Sequence, residues 1–298
     1  MKDWSHENFG DGLASTHPVH VHDHSTSSQF VFWSMGLNQR HRVILVHDFA
    51  EFDRRGMLDD DSRYLLSFSE FRRALDQSIE HGLLFDSIGS DDSPEWGRVE
   101  ITSDDGGGSA LLLADHLKEL GIRARFFIVT GWIGTNGFLT RDEIRYIHSL
   151  GHLVGSHGHT HPNPFCDLDR QHLRQEVFQS REILEDLLGC AVDLFSVPGG
   201  EVLPRTIRQL QEEDLGLFRI YTSTPHQGVY IANTTSSVLG RYCLLRSMDY
   251  RKIARVLDGR GWTRQRLRYR AGRLKRELVK GILSWTSQHP RGADNQSV

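Results

Sequence analysis

Asp104 and Asp105 stand side by side before Gly106. His157 and His161 lie four apart in Ser-His-Gly-His-Thr-His-Pro (156–162), and Ser196-Val-Pro-Gly-Gly200 forms a third short cluster. Two imidazoles and one carboxylate make an N,N,O set with open positions. That set suits a catalytic zinc, with iron, cobalt, nickel or manganese also compatible. A metal so held lowers the pKa of bound water. Adjacent carboxylates on an extended backbone point to opposite sides, so one of Asp104 and Asp105 can ligate while the other takes a proton. One helical turn would bring His157 and His161 to the same side. His159, between them, should point away, and His148 and His152 read as structural. Alone, Asp-Asp-Gly is an ordinary turn or helix cap. The signal comes from the three clusters meeting at one end of a fold.

That end is set by the elements on either side. Val43–Val46 is a short apolar run, a buried strand. Phe68, Phe71, Leu75 and Ile79 recur at helical spacing, with Gly82 as a stop. Residues 98–102 predict a second strand, and Leu112 to Leu120 a helix ending at Gly121. Residues 124–129 predict a third strand. Thr140 and Glu143 form a capping-box pattern before Ile144, Ile147 and Leu150. Residues 152–155 predict a fourth strand, Leu173 to Leu188 a long helix closed by Gly189, and 192–197 a fifth strand; 219–222 suggests a sixth. Strands alternating with helices imply a parallel sheet covered on both faces. An open doubly wound sheet and a closed barrel both fit the periodicity. In either, ligands sit at the C-terminal ends of the strands, where the three clusters fall.

The chain of 298 residues is 38% hydrophobic and 25% charged, which supports a sizeable core. Cys166, Cys190 and Cys243 are odd in number and far apart, which argues against a disulfide framework or a thiolate zinc site. No apolar run approaches the ~18 residues of a membrane span. Residues 1–39 read as a flexible arm, with His17, His20, His22 and His24 in it. The arm lacks the basic and apolar regions of a signal peptide, so a cytoplasmic place is expected. Residues 40–258 read as the folded body and 259–298 as a basic tail. From Arg260 to Lys280 nine basic residues face one acid, so this stretch carries +8 within a chain of net charge −4. An acidic body argues against nucleic acid as a partner. Leu267, Ala271, Leu274, Leu278 and Ile282 fall on one helical stripe inside the basic tail. The stripe could pack on the body, or lie on an anionic membrane surface as a peripheral contact.

Ile-Thr-Ser-Asp-Asp-Gly (101–106), Ser-His-Gly-His-Thr-His-Pro (156–162) and Val-Pro-Gly-Gly (197–200) resemble the ordered motifs of the polysaccharide deacetylases, the NodB-homology group or carbohydrate esterase family four. The resemblance covers about Val43 to Met248. It implies an α/β fold, a distorted (β/α) barrel of about seven strands followed here by the C-terminal basic helix. It implies a metal-dependent hydrolase removing an acetyl group from an N- or O-acetylated saccharide. By position, Asp104 would be the general base, and Asp105, His157 and His161 the metal ligands. The Gly199 N–H would hold the oxyanion, with Pro198 lining the groove. Three departures stand out. Ser103 replaces the first motif's Phe. Ser196 replaces the third-motif Arg, which in the family orients the catalytic Asp. The late L-x-H that supplies the acid is absent from Leu-Gly-Arg-Tyr-Cys-Leu-Leu-Arg (239–246). His226 is the nearby imidazole, and Arg241 could bind an anionic sugar substituent. A basic tail would suit a lipid-linked sugar. Hydrolysis of small amides and a catalytically impaired glycan-binding barrel are the competing readings.

Overall fold

In a parallel sheet buried on both faces, side chains alternate between an interior and a helix-covered exterior. Val-Glu-Ile-Thr-Ser shows the pattern: all five residues are buried. Val99 and Ile101 join the apolar layer under the helices. Glu100 and Thr102 meet polar partners inside. This chain is described by a computed structural model at residues 41–51, 59–89, 97–226, 229–231 and 236–272, with two short strands, β1 (Val19–His20) and β2 (Val31–Phe32). The rest of the arm and residues 273–298 of the tail lie outside the described residues.

From β3 (Arg42–Val46) the chain passes β4 (Asp48–Phe49) and β5 (Leu65–Leu66) to α1 (Phe68–Glu80). The pairs β6 (Val99–Ser103)/α2 (Ala110–Glu119), β7 (Ala124–Ile128)/α3 (Arg141–Ser149), β8 (Leu153–Ser156)/α4 (Arg170–Leu188) and β9 (Leu194–Ser196)/α5 (Pro204–Leu210) follow. The remainder is β10 (Arg219–Thr222), β11 (Val229–Ile231), β12 (Ser237–Cys243), α6 (Tyr250–Leu257) and a last helix, α7 (262–272).

Seven strands run parallel in the order β3-β6-β7-β8-β9-β10-β12, and β12 pairs back with β3 to close a barrel. The closure is staggered. Ser237–Gly240 pairs with β10, Arg241–Cys243 pairs with Val43–Leu45 of β3, and β11 lies antiparallel on the first half of β12. This decides for the barrel over the open sheet, a choice periodicity left open. The seventh strand, β12, carries Gly240 and three polar residues, so no apolar run marks it.

The helices form where local chemistry ends them cleanly. Thr140 and Glu143 make both halves of a capping box, and Gly189 closes α4 in the left-handed conformation. Inside, the side chains stack in layers, as in other (β/α) barrels. The bottom holds Glu100 against Arg125 (3.1 Å) and His41 (3.0 Å), with Arg219 buried beside them. The middle is Val43, Phe127, Leu194, Tyr221 and Leu239. Above it, at the C-terminal ends of the strands, lie Asp104, Ser196, His157 and Arg241.

Candidate active site

Asp105 and His161 have φ of 72° and 58°, and are the non-glycine residues with positive φ among those described. An L-residue adopts that conformation at a cost of about 1–3 kcal/mol, and such strain gathers at functional sites. Asp105 and Gly106 both turn left-handed after β6, so the backbone is bent where an extended run was expected. Asp104 still follows the strand's alternation into the barrel, while Asp105 swings toward the histidines. Gly107 is required by a close approach, since an added Cβ would lie 2.2 Å from the Asp48 carboxylate. Asp48 accepts from Ser109 Oγ, and Ser109 Oγ accepts from Phe49 N at 3.0 Å, so this turn is tied to β4.

His157 and His161 are brought together by a loop, not by the helical turn their spacing suggested. Gly158 (φ 78°) reverses the chain, and no helix covers 157–161. Glu176 of α4 holds the loop: its carboxylate accepts from His159 N (2.7 Å), Thr160 N (2.9 Å) and Thr160 Oγ1 (2.6 Å). Pro198, expected to line the groove, is buried and packs 3.3 Å from where Gly158 would carry a Cβ. It therefore shapes the loop from below, and the exposed Gly199 beside it faces outward.

The outcome is a compact donor set. Ligand atoms of Asp105, His157 and His161 all lie within 4.8 Å of one another. Asp105 Oδ1 is 3.3 Å from His157 Nε2 and 3.6 Å from His161 Nε2. The Ser196 carbonyl, 2.8 Å from His157 Nδ1, can only accept, so it fixes a proton on Nδ1 and turns Nε2 to the cluster. Burial favours neutral Asp105, but the His157 hydrogen bond and the charges of His47, His157 and His161 hold its carboxyl far below the usual range. Burial and His157 push His161 down to about 4, so it is neutral at physiological pH. Burial would lower His157, yet the charge of Asp104 and the Asp105 hydrogen bond raise it. The Trp132 ring lies 5.1 Å from His161 and 4.8 Å from Phe138, an aromatic wall beside the cluster.

Arg241 is the main correction. It could have met a substrate anion, but it is fully buried and committed to Asp104: Nη1 donates to Oδ1 at 2.6 Å and Nη2 to Oδ2 at 2.7 Å. Ser196 Oγ donates to Asp104 Oδ2 at 3.0 Å and accepts from Arg241 Nη2 at 2.8 Å. The guanidinium absent at position 196 comes instead from β12, two strands from β9, and Ser196 leaves room for it. Burial would raise the Asp104 carboxyl, but Arg241 and then His157 hold it below its usual range.

His226 sits against Gly240, 2.7 Å from where that glycine would carry a Cβ, and is not in the Asp105–His157–His161 cluster. His47 is the imidazole missed in the sequence. It follows β3, stacks on Tyr64 at 4.4 Å, and places Nδ1 3.8 Å from Cys243 Sγ at the end of β12. Asp104 N donates to Val46 O at 3.1 Å, and the charge of His47 is felt by Asp104, Asp105 and His161. Leu45-Val46-His47 is an L-x-H pattern placed early in the chain. Barrel closure makes β3 the neighbour of β12, so early and late strands share one edge of the site. His152 is structural, as read, bridging Ala124 N and Ala114 O, and His159 points away from the cluster to Thr130 Oγ1.

Residues 92–217 match the family model for polysaccharide deacetylase. A peptidoglycan-N-acetylglucosamine deacetylase of Bacillus cereus is 28% identical over 146 residues, 48% of this chain and 51% of that protein. A chitin deacetylase of Colletotrichum lindemuthianum is 35% identical over 91 residues, 30% of this chain and 35% of that protein. The chain thus spans about half or less of these relatives' length. Among solved structures, IcaB from Ammonifex degensii aligns with a TM-score of 0.59 at 19% identity, covering 74% of this chain and 97% of that one. A polysaccharide deacetylase from Bacillus cereus aligns with a TM-score of 0.59 at 16% identity, over 77% and 72% of the two chains, so both share the fold. The fold is therefore the (β/α) barrel that these solved structures share. Over residues 92–217 this chain is similar to the polysaccharide deacetylase family.

Proposed function

We propose that the protein is a metal-dependent hydrolase that removes the acetyl group from an N-acetylated saccharide. One observation carries the reading: two imidazoles and a carboxylate converge within 4.8 Å beside a second, separately held carboxylate. The donor set fits a divalent ion, zinc first, because Asp105 is ionised, His161 is neutral and His157 presents Nε2. Such an ion supplies Lewis acidity and a bound water of lowered pKa. Asp104 is the base that takes the water's proton. Arg241 and Ser196 fix both its oxygens, leaving it oriented and ionised. The Gly199 N–H would serve as the oxyanion donor. His47, on the opposite strand edge from the loop histidines, is the group to protonate the departing amine. Arg241 and His47 fill the two roles whose absence favoured a binding-only barrel, and so support turnover. The saccharide comes from the relatives, which are named for peptidoglycan N-acetylglucosamine and for chitin.

The test of the site is metal content by elemental analysis after mild chelation and re-addition. Wild type should regain about one divalent ion per chain, and His157→Ala and Asp105→Ala little. A wild type that takes up no metal would overturn the proposal.

A further inference from the structure

We propose that the α6–α7 face of the barrel is a docking surface for an anionic lipid bilayer. The inference is independent of the chemistry at the strand ends. Helix α7 is anchored by Trp262, which is buried, stacks edge-on against Tyr242 at 5.3 Å and donates Nε1–H to Val256 O at 3.0 Å. That anchor fixes which side of the helix meets the barrel: Gln265, Arg266 and Tyr269 are partly covered, one turn apart. Leu267 and Ala271 are therefore turned outward, and Leu267 is 61% exposed. These are the first two members of the apolar stripe that the sequence continues through Leu274 and Leu278. In the described part, the stripe does not pack on the barrel.

The charge around it is predominantly positive. Between Asp249 and Gly272 there are eight basic residues and two acids. Arg251, Arg255, Arg260, Arg264, Arg268 and Arg270 are all exposed. Both acids are engaged within this surface, Asp258 with Arg260 at 2.8 Å and Asp249 with Lys252 at 3.8 Å, and a net excess of cations remains. Arg260, which leads into α7, also borders a cleft of about 970 Å³ between α1 and α6. Arg42, Arg251, Arg255, His81 and Leu84 line the same cleft. Arg42 is buried, and its Nε has no hydrogen-bond partner. Leu84 is 61% exposed, matching Leu267 as the most exposed of the large apolar side chains described. Exposed leucines within a field of arginines are what an interfacial surface needs: apolar side chains to enter the headgroup region and cations to meet lipid phosphates. No helix among the described residues is long and apolar enough to cross a membrane, so the contact would be peripheral.

The experiment is sedimentation of the full chain with vesicles of phosphatidylcholine, alone or containing phosphatidylglycerol, at low and moderate salt. Binding should require phosphatidylglycerol and weaken with salt. Leu267→Ser should weaken it by about tenfold, the value of withdrawing one buried leucine side chain. The pair Arg264→Glu/Arg268→Glu should weaken it by at least about tenfold. All these positions are exposed, and unchanged circular dichroism and metal content would show that the variants fold. Equal binding to both vesicle types, or none to either, would overturn the proposal. So would an unweakened Leu267→Ser variant displaced by a soluble polyanion, which would mark the face as a site for acidic polymers instead.

Discussion

Replacing Arg241 by Met tests how the barrel makes its base. Arg241 is fully buried, Asp104 is 2% exposed, and the pair is joined by two hydrogen bonds of 2.6 and 2.7 Å. Met keeps most of the volume and removes the charge. Removing one partner of a buried ion pair strands the other, at about 3–5 kcal/mol. The functional loss follows from the same change. Asp104 now sits below the usual carboxylate range because Arg241 and His157 outweigh burial. With the guanidinium gone, burial raises the carboxyl, so less of it is ionised at neutral pH, a factor of ten per unit. In acetate release from N-acetylglucosamine oligomers, kcat/KM of Arg241→Met should fall by about 10²–10⁴ at neutral pH, the contribution of a positioned base. The acid limb of its pH profile should move up, so that raising the pH recovers part of the rate. Arg241→Lys should keep charge but not the bidentate geometry, and fall between the two. A Met variant with wild-type rate and an unmoved acid limb would refute the assignment, and a variant of undiminished stability would refute the buried pair.

Further outcomes can be checked in the same system. His47→Gln should lose about 10²–10³ in kcat while keeping its metal if, as proposed, the imidazole acts on the leaving group; metal loss in this variant would make His47 part of the binding set instead. Glu176→Ala should free the 157–161 loop and weaken metal affinity by about 10–100-fold, read by chelator competition. Metal affinity should rise with pH through and above the ordinary histidine range. His157 is raised and must lose its proton to ligate, whereas His161 is already neutral above about 4. Gly107→Ala should lower stability by about 1–3 kcal/mol in denaturant melts, since its Cβ would meet Asp48 at 2.2 Å.

The strand–helix alternation and the three clusters were legible because buried parallel strands are short apolar runs and their ends carry the polar residues. The capping box at Thr140 and the stop at Gly189 were legible because caps are local chemistry. What was not legible depends on closure. Nothing in Ser237–Cys243 advertises a strand, and so nothing announced that β12 would carry Arg241 beneath Asp104, 137 positions away. His47 was overlooked for the same reason: the acid was sought late in the chain, whereas this imidazole follows the first barrel strand, adjacent in space through the β12–β3 pairing. The pairing of His157 with His161 was anticipated, but its cause was not, because left-handed backbone at Gly158 and His161 is a tertiary choice stabilised by Glu176.

The most direct test of the central claim is acetate release from N-acetylglucosamine oligosaccharides by protein stripped of metal and then reloaded. Activity that vanishes on stripping and returns with zinc or another divalent ion, but not in Asp104→Asn or His161→Ala, is the predicted result. Turnover that persists in the stripped protein, or survives in Asp104→Asn, would contradict it.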